Sequence, residues 1–597
     1  MRTLLVAINA KYIHTNPAVY LLRANAGVYR SDISIREFTI NQSPDDILQG
    51  IVAEKPEFIG FSCYIWNIEM VKKVIPECRK LLPDCVLWLG GPEAEANAKH
   101  LLQQYPQLDG VMYGEGEKVL PELLSYYFTK ENNESAAVND TNAGENIDIS
   151  LEKVPGIIIR TAHGIVKNSL AELMDMDELV FPYDEEILER LKGRILYYES
   201  SRGCPFRCSY CLSSEDNQVR FRSVEKVKED LKVFLNAKVP QVKFVDRTFN
   251  CNHKRMMELL QFMLEQDNGV TRFHFEIGGD LLTEEEMLLL GKFRAGAIQL
   301  EIGVQTTNPE VMERIGRTNK KEALFSNVRT LLQQGKQHIH LDLIAGLPGE
   351  DMQSFIRSFD EVYSLHPHQL QLGFLKVLGN TRIHREAEIY GIKYREYPPY
   401  EVLETDSVSY RELSELKQVE EMVEIYYNSG QFAEELRFLE NYLISAMRNA
   451  GAENAFSAYR MYLGLSMLYF SRYTNGMQSS RMARYELLVE FIMIMTRDKL
   501  HDEVVQLAVY DCYARERKKA RPSFSLHNEG ERIVRALMRE ENSVIDYCND
   551  NHAEHFTIDI KKTAETGTAA LRENIAVFHY GKRSPITDNA MVVFYDL

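Results

Sequence analysis

Cysteine is scarce in this chain, and its scarcity excludes one class of protein. The 597 residues contain nine cysteines, which are not arranged as the disulfide framework of a small secreted domain. Long apolar runs are also missing near the start, where the longest covers only residues 4–8. A membrane-spanning helix needs about 20 apolar residues, and the layout of a secretory signal is absent. We therefore expect a cytoplasmic protein with reduced thiols.

Positive charge is also in deficit. The chain has 69 Lys and Arg against 87 Asp and Glu, which gives a formal net charge of −18. This balance argues against a broad basic surface for nucleic acid or an anionic membrane, so neither is expected as a partner. Internal repeats and coiled-coil heptads are absent as well. The length predicts about three to five domains.

Residues 1–128 alternate short apolar strands with helical stretches, which is typical of a parallel sheet covered on both faces. Strands are predicted at residues 3–8, 33–38, 58–62, 86–89 and 110–112. Polar or glycine-bearing turns follow these strands. Because the carboxyl ends of parallel strands meet at one edge, the turns predict a single crevice for a large ligand. The turns contain Asn9, His14, Ser62, Gly90, Gly91, Gly114 and Glu115.

The rest of the chain divides into four parts. Residues 129–153 are rich in Asn, Glu, Asp and Ala and predict a disordered acidic insertion or linker. Residues 154–190 predict a connecting segment with a hairpin. Residues 191–398 again alternate helices with six strands, and residues 399–597 predict a mostly α-helical C-terminal domain with terminal strands. The six strands are predicted at residues 195–200, 241–245, 272–277, 297–304, 338–345 and 368–374.

Three cysteines lie close together in Cys204-Pro-Phe-Arg-Cys208-Ser-Tyr-Cys211, directly after the first of these six strands. Three thiolates can hold an iron–sulfur cluster and leave one iron without a protein ligand. A structural zinc site needs a fourth Cys or His at short range. The nearest are Cys251 and His253, beyond a predicted helix and strand. The spacing therefore favours a cluster over a zinc site or buried free thiols.

This motif, with Tyr210 as its aromatic residue, resembles the signature of radical S-adenosylmethionine (SAM) enzymes. The resemblance implies that Cys204, Cys208 and Cys211 bind a 4Fe-4S cluster, the metal site of the protein. Reduction of the cluster would cleave SAM to a 5′-deoxyadenosyl radical. The resemblance also implies an open six-stranded (β/α)6 partial TIM barrel, which agrees with the strand count, and an electron donor such as flavodoxin or ferredoxin.

Several strand ends of this barrel resemble the positions from which family members hold SAM. The resemblance implies that Asp246 contacts the methionyl amino group, that Glu276 binds the ribose hydroxyls and that Arg317 binds the methionyl carboxylate. A glycine after the fifth strand would let the backbone approach adenine closely. The implied contacts on the fourth and fifth strands are Glu301, Gln305, Asp342 and Gly346.

The first domain resembles the N-terminal Rossmann-like domain of cobalamin-binding (B12-dependent) radical SAM enzymes. The resemblance covers residues 1–385 approximately and rests on the turns at residues 61–66, 90–92 and 114–117. It implies that the turn residues given above contact cobalamin. The Asp-x-His-x-x-Gly signature, whose His ligates cobalt in mutases, is absent. His14 lies in the right loop but in the wrong frame, and a hydrogen bond within the loop is the favoured role for it.

The resemblance implies a cobalamin-dependent radical SAM enzyme that methylates an unactivated carbon of an unknown substrate. One alternative is a methylthiotransferase-like enzyme acting on RNA or protein, whose first domain carries three cysteines for an auxiliary cluster. Cys63, Cys78 and Cys85 are predicted to be buried free thiols instead, since only Cys63 is near the crevice. A second alternative is a non-catalytic cobalamin-sensing or redox-sensing protein.

Overall fold

The computed structural model describes residues 1–137, 150–214, 218–452, 456–473, 479–517, 521–525, 529–539, 545–548 and 550–597. The chain divides into two compact units. The first unit comprises Met1–Gln299, Glu313–Thr318 and Leu375–Leu403, and the second comprises Leu300–Met312, Asn319–Phe374 and Glu404–Leu597. Within the described residues, we find no helix with the length and apolar character that crossing a membrane requires.

The first unit begins with a seven-stranded sheet in the order β2-β1-β3-β4-β5-β6-β7. Its first five strands pair in parallel, and β6 and β7 form an antiparallel hairpin at one edge. All seven residues of β1 are buried, as expected for a strand covered on both faces. This confirms the predicted parallel sheet. The strands are β1 Thr3–Asn9, β2 Ile33–Thr39, β3 Phe58–Ser62, β4 Val86–Gly90, β5 Gly110–Met112, β6 Ile157–Thr161 and β7 Gly164–Lys167.

Six helices accompany this sheet, and the last of them corrects a prediction. Residues 129–137 were expected to begin a disordered insertion, but they continue α6 as far as Ala137. A helix that has already nucleated gains one hydrogen bond for each added residue, so polar residues can extend it. Residues 138–149 of the predicted insertion lie outside the described residues, and its last residues, Leu151–Lys153, form a short 3-10 helix. The helices are α1 Pro17–Ala24, α2 Pro44–Ala53, α3 Ile68–Leu81, α4 Pro92–Ala96, α5 Ala98–Gln104 and α6 Gly116–Ala137.

A second sheet has six strands in the order β15-β14-β13-β12-β11-β8, with β8 and β15 at its edges as expected for an open barrel. The pairs β8–β11, β11–β12 and β14–β15 are parallel. The strands of this region are β8 Leu196–Tyr198, β9 Ser201–Arg202, β10 Arg220–Phe221, β11 Gln241–Phe244, β12 Arg272–Ile277, β13 Ile298–Gln305, β14 His338–Ala345 and β15 Gln369–Phe374. The short strands β9 and β10 pair with each other.

Helices alternate with these strands, and local sequence signals mark where several of them begin or end. Ser223 caps α8, Thr283 forms a capping box with Glu286, and Gly335 ends α12 with a φ of 62°. The helices are α7 Glu185–Arg190, α8 Val224–Asn236, α9 His253–Glu265, α10 Glu284–Leu290, α11 Pro309–Arg314, α12 Lys321–Gln334 and α13 Met352–Tyr363.

The remaining chain is mostly helical and ends in a three-stranded antiparallel sheet, as predicted. Helix α19 gave no clear signal in the sequence because it is buried on nearly all sides, which removes its amphipathic period. The elements are α14 Arg382–Glu386, β16 Lys393–Tyr394, β17 Val402–Glu404, α15 Tyr410–Met422, a π-helix Val423–Asn428, α16 Ala433–Asn449, α17 Ala458–Arg472, α18 Arg481–Thr496, α19 His501–Arg515, α20 Gly530–Leu537, β18 His552–Ile558, α21 Ile560–Thr566, β19 Leu571–Arg583 and β20 Ala590–Asp596.

Two buried carboxyl groups meet between α16 and α19. Glu435 is fully buried, and neither of its side-chain oxygens has a hydrogen-bond partner among the described residues. Asp511 accepts hydrogen bonds from the backbone N–H groups of Glu434 and Glu435, at 2.9 and 3.0 Å. Burial raises the pKa of both carboxyl groups well above the ordinary range. The folded form therefore holds protons that the unfolded chain has released, so this pair destabilises the fold increasingly as pH rises above the unfolded pKa of about 4.

Replacing Glu435 with Gln is expected to stabilise the protein at pH 7–8 by about 1–3 kcal/mol, because the amide needs no proton to remain neutral. The dependence of stability on pH between 5 and 8 should also become shallower. Urea unfolding at several pH values measures both effects. The exposed Glu565 pairs with Arg437 on the surface, and Glu565→Gln serves as the control. A loss of stability at pH 8 in Glu435→Gln would contradict the assignment.

Candidate active site

The cysteine loop follows β9, just beyond the carboxyl end of β8 in the first unit. Cys208 is buried, and Cys204 and Cys211 are half-buried. The N–H of Cys211 donates to the carbonyl of Cys208 at 3.1 Å, which makes a tight turn between two of the thiols. Burial raises the pKa of Cys208, and Arg317 opposes this increase while Cys211 and Cys204 add to it. The structure therefore brings the three predicted thiols together.

Asp246 fixes the base of this loop. Its carboxylate accepts hydrogen bonds from the N–H of Ser200 at 2.7 Å, from the Ser200 hydroxyl at 2.6 Å and from the Ser201 hydroxyl at 2.8 Å. Burial raises the pKa of Asp246, and these hydrogen bonds oppose the rise. Arg255 donates to the Ser200 carbonyl at 3.1 Å. Sequence reasoning missed Arg255 because nothing in α9 marks it, and the contact of Asp246 with SAM stays a prediction.

Arg317 lies against the cysteine loop. One guanidinium nitrogen is 3.7 Å from the sulfur of Cys208 and 3.4 Å from the hydroxyl oxygen of Tyr210, to both of which it donates. Gly316 precedes it with a φ of 71°, and a Cβ there would lie 2.7 Å from the Arg207 carbonyl oxygen. Only glycine lets these two loops approach so closely. The contact of Arg317 with the methionyl carboxylate stays a prediction, and its guanidinium lies beside the predicted cluster ligand Cys208.

The other predicted SAM contacts are divided between the units. Glu276 is half-buried near the end of β12 in the first unit. In the second unit, ligand atoms of Glu301, His340 and Asp342 lie within 4.8 Å of one another, and His340 Nε2 is 3.0 Å from Asp342 Oδ1. This group joins two predicted residues to a histidine that the sequence did not single out. Gly346 follows β14 with a φ of 82°.

Gln305 ends β13 with a φ of 71°. The hydroxyl of the next residue, Thr306, donates a hydrogen bond to the carboxyl group of Glu350 at 2.5 Å. Ser354 and Ser358 also donate to this carboxyl group. Burial raises the pKa of Glu350 to about 7, and these hydrogen bonds oppose the rise. Glu350 therefore holds the end of β13, a function that a distant glutamate does not reveal in the sequence.

The turn after β1 is held from two sides. Asn9 donates to the His14 carbonyl at 3.1 Å and to Glu37 at 2.9 Å. His14 Nδ1 is 2.7 Å from the Tyr197 hydroxyl oxygen, and Thr15 donates to the Ile195 carbonyl at 2.9 Å. Burial is the main cause that lowers the pKa of His14. The imidazole is thus engaged in a hydrogen bond to β8, and a contact of His14 with cobalamin stays a prediction.

The turn after β1 offers a buried polar atom for a ligand, next to the last residue of β3. Asn16 donates to the hydroxyl of Ser62 at 3.2 Å. Its own Oδ1 is buried and has no hydrogen-bond partner within the described part of the chain. Cobalamin carries amide and hydroxyl donors that suit such an acceptor. Ser62 was predicted at this place, whereas Asn16 was missed.

Glycines and ion pairs shape the turns after β4 and β5. Gly91 has a φ of 104°, and Gly114 has a φ of 74°; Gly90 is the last residue of β4. Glu115 was predicted to contact cobalamin, but its carboxylate pairs with Arg220 and Arg202 and accepts from the N–H of Met174. The arginines lower its pKa against the effect of burial. In this structure Glu115 therefore ties the turn to the strands that flank the cysteine loop.

Replacing Gly91 with Ala is expected to destabilise the first unit by about 2–4 kcal/mol, because the Cβ would lie 2.5 Å from the Cys63 carbonyl oxygen. The amount of cobalamin that the protein retains after desalting should decrease as well. Gly27 also has a positive φ, of 56°, but its Cβ would meet open space. Gly27→Ala is the matched control and should cost about 1 kcal/mol. Equal unfolding midpoints for the two variants would contradict this account.

The three cysteines of the first domain do not form a metal site. Cys63, Cys78 and Cys85 are all buried free thiols, and burial raises the pKa of each. Cys78 lies within α3 and Cys85 just before β4. The predicted buried thiols are confirmed, and the auxiliary-cluster alternative has no support from this geometry.

Family models cover most of the chain in three segments. Residues 3–124 match the B12 binding domain, residues 198–362 match the radical SAM superfamily, and residues 388–578 match a model described as a protein of unknown function, DUF4080. The cobalamin-dependent radical SAM methyltransferase TokK of Streptomyces tokunonensis is 21% identical over 77% of this chain and 66% of its own length. The chain spans about half to two thirds of the length of the curated relatives it matches.

Solved structures show the same fold at low identity. The cobalamin-dependent SAM radical enzyme OxsB aligns with a TM-score of 0.56 at 14% identity, over 86% of this chain and 79% of its own. The radical SAM methyltransferase TsrM from Kitasatospora setae aligns with a TM-score of 0.51 at 18% identity, over 67% of this chain and 80% of its own. With a B12-binding domain followed by a radical SAM domain, the chain has the domain combination of cobalamin-dependent radical SAM enzymes.

Proposed function

We propose that this protein is an enzyme that methylates an unactivated carbon with the help of SAM, a 4Fe-4S cluster and cobalamin. The observation that carries the proposal is the three-cysteine loop beside a B12-binding domain within one compact unit. Contacts of His14 with Tyr197 and of Glu117 with Arg202 join that domain to the strands around the loop. TokK, to which this chain is similar, is a methyltransferase, and this supports the same reaction class.

The residues of the chain have separate tasks in this proposal. When bound, a reduced cluster supplies the electron that cleaves SAM to a 5′-deoxyadenosyl radical, and cobalamin supplies methyl-group chemistry. Cys204, Cys208 and Cys211 would hold the cluster, because three thiolates leave one iron open. Arg317 donates a hydrogen bond to Cys208 and so favours its charged form.

The polar crevice of the first domain would hold cobalamin. The buried Asn16 oxygen can accept a hydrogen bond from an amide of the cofactor, and Ser62 lies next to it. The enzyme also needs a reductant and a substrate, and we propose a flavodoxin or ferredoxin as the reductant.

The proposal is tested with protein reconstituted anaerobically with iron, sulfide and hydroxocobalamin, then desalted and given SAM and dithionite. We expect retained cobalamin, a bound cluster and formation of 5′-deoxyadenosine. A cluster without cobalamin would contradict methyl transfer. Both cofactors without deoxyadenosine would favour the sensing alternative.

A further inference from the structure

A polar cavity of about 230 Å³ lies beside the cysteine loop in the first unit. It opens at the carboxyl ends of β8 and β11, the position where parallel α/β sheets bind ligands. Gly203 in its wall immediately precedes Cys204. Its polar lining consists of Glu199, Ser201, Arg202, Gly203, Ser213 and Arg247.

The two arginines of this cavity differ in how their charge is compensated. Arg202 contacts the carboxylates of Glu115, Glu117 and Glu199, so no charge is left for a ligand. Arg247 is exposed, and its side chain makes no hydrogen bond or ion pair with any described residue. Arg247 is therefore the one cavity arginine, within the described part of the chain, whose guanidinium is free to bind a ligand.

The backbone of Arg247 is held firmly although its side chain is free. The preceding residue, Asp246, is buried and accepts three hydrogen bonds from Ser200 and Ser201. On its other side, Thr248 donates to the Arg247 carbonyl at 2.7 Å. A fixed backbone lowers the entropy that the arginine would lose when it binds a ligand.

A second donor faces the same cavity. The Ser213 hydroxyl makes no hydrogen bond to the described residues. Gly203 has a φ of 90°, and a Cβ there would lie 2.1 Å from the Gln218 carbonyl oxygen, so only glycine fits at this place in the wall. A planar guanidinium with a nearby hydroxyl is a donor set for an oxyanion. Glu199 pairs with Arg202 at 2.9 Å, and burial raises its pKa to about 7, which weakens its repulsion of a bound anion.

We infer that this cavity binds a carboxylate or phosphate group of the substrate through Arg247, so the substrate is an anion. The inference rests on the proposed function and extends it to a substrate class. The cavity has room for the anionic group and a few further atoms, since a water molecule takes about 30 Å³. The phosphodiester of cobalamin and the methionyl carboxylate of SAM carry the same chemistry, and the experiment separates both cofactors from the substrate as the source of the anion.

The test measures binding of inorganic phosphate and of malonate by calorimetry at low salt, with the cluster loaded and with cobalamin, SAM, both or neither added. We expect wild-type protein to bind at least one probe in every state, and Arg247→Gln to bind it roughly tenfold or more weakly. Arg247→Lys should keep part of the affinity. The matched control is Arg36→Gln, because Arg36 is an exposed arginine that pairs with Glu54.

Three outcomes would overturn the inference. Equal binding by wild type and Arg247→Gln would show that the guanidinium holds no anion. Probe binding that disappears when cobalamin or SAM is added would assign the cavity to the phosphodiester of cobalamin or to the carboxylate of SAM, respectively. Failure of wild type to bind either probe would exclude a preformed site. Arg247→Lys keeps the test valid if the glutamine variant unfolds.

The inference and the proposed function can fail separately. If wild-type protein forms deoxyadenosine but wild type and Arg247→Gln bind the probes equally, only the inferred oxyanion site is contradicted. If the probes bind through Arg247 but no deoxyadenosine forms, the site stands and the proposed radical chemistry is wrong.

Discussion

Replacing Cys204, Cys208 and Cys211 together with alanine is expected to abolish the cluster and all cleavage of SAM. The three thiols lie in one loop with Arg317 beside Cys208, and a 4Fe-4S cluster needs every one of them when no fourth cysteine is supplied. Wild-type protein should contain about four iron atoms per chain after reconstitution, and the variant should contain only background iron. Iron and sulfide analysis measures the first effect, and deoxyadenosine formation measures the second.

Cys251 provides the sharpest control for this prediction. Its thiol interacts electrostatically with Cys204, and burial raises its pKa to about 11. Cys251→Ala should retain the cluster, as should replacement of the exposed Cys548. Loss of iron in Cys251→Ala would indicate a fourth thiolate ligand. The cluster would then have no open iron for SAM, and the proposed chemistry would be contradicted.

The parallel sheet of the first domain could be predicted because its strands are continuous apolar runs. A strand buried on both faces, such as β1, is apolar along its whole length, and the turn after it is polar. The caps at Ser223 and Thr283 were readable for a similar reason, since each acts on the backbone three residues away. Strand burial and helix capping depend on residues close together in the chain, so both can be recognised in the sequence.

The contacts that position the candidate site were not readable because they join residues far apart in the chain. Asp246 holds Ser200 across 46 positions, and Arg317 reaches Cys208 across 109. The sequence placed both residues near SAM but could not show that they contact the cysteine loop. Glu115 was predicted only as a cobalamin contact, and its pairing with Arg220, more than 100 positions away, could not be read from the sequence. Such partners are fixed by the fold.

Asp246 now has two candidate roles, and its replacement should separate them. The structure shows it holding the base of the cysteine loop, whereas the family resemblance implies a contact with the SAM amino group. Asp246→Ala leaves the N–H and hydroxyl of Ser200 and the hydroxyl of Ser201 without their buried acceptor. We expect a loss of about 3 kcal/mol in the free energy of unfolding and a poorly held cluster.

Asp246→Asn distinguishes the roles more finely, because its amide keeps one acceptor oxygen and has nearly the same shape. If Asp246 acts through the loop, the variant should lose iron to a chelator roughly tenfold faster, while the KM for SAM of the loaded fraction stays near the wild-type value. Ser201→Ala, which removes one of the three hydrogen bonds, should reproduce part of this loss. If iron retention is instead normal and the KM rises, the carboxylate binds SAM directly. Because the two readouts move independently, either result assigns a role to Asp246.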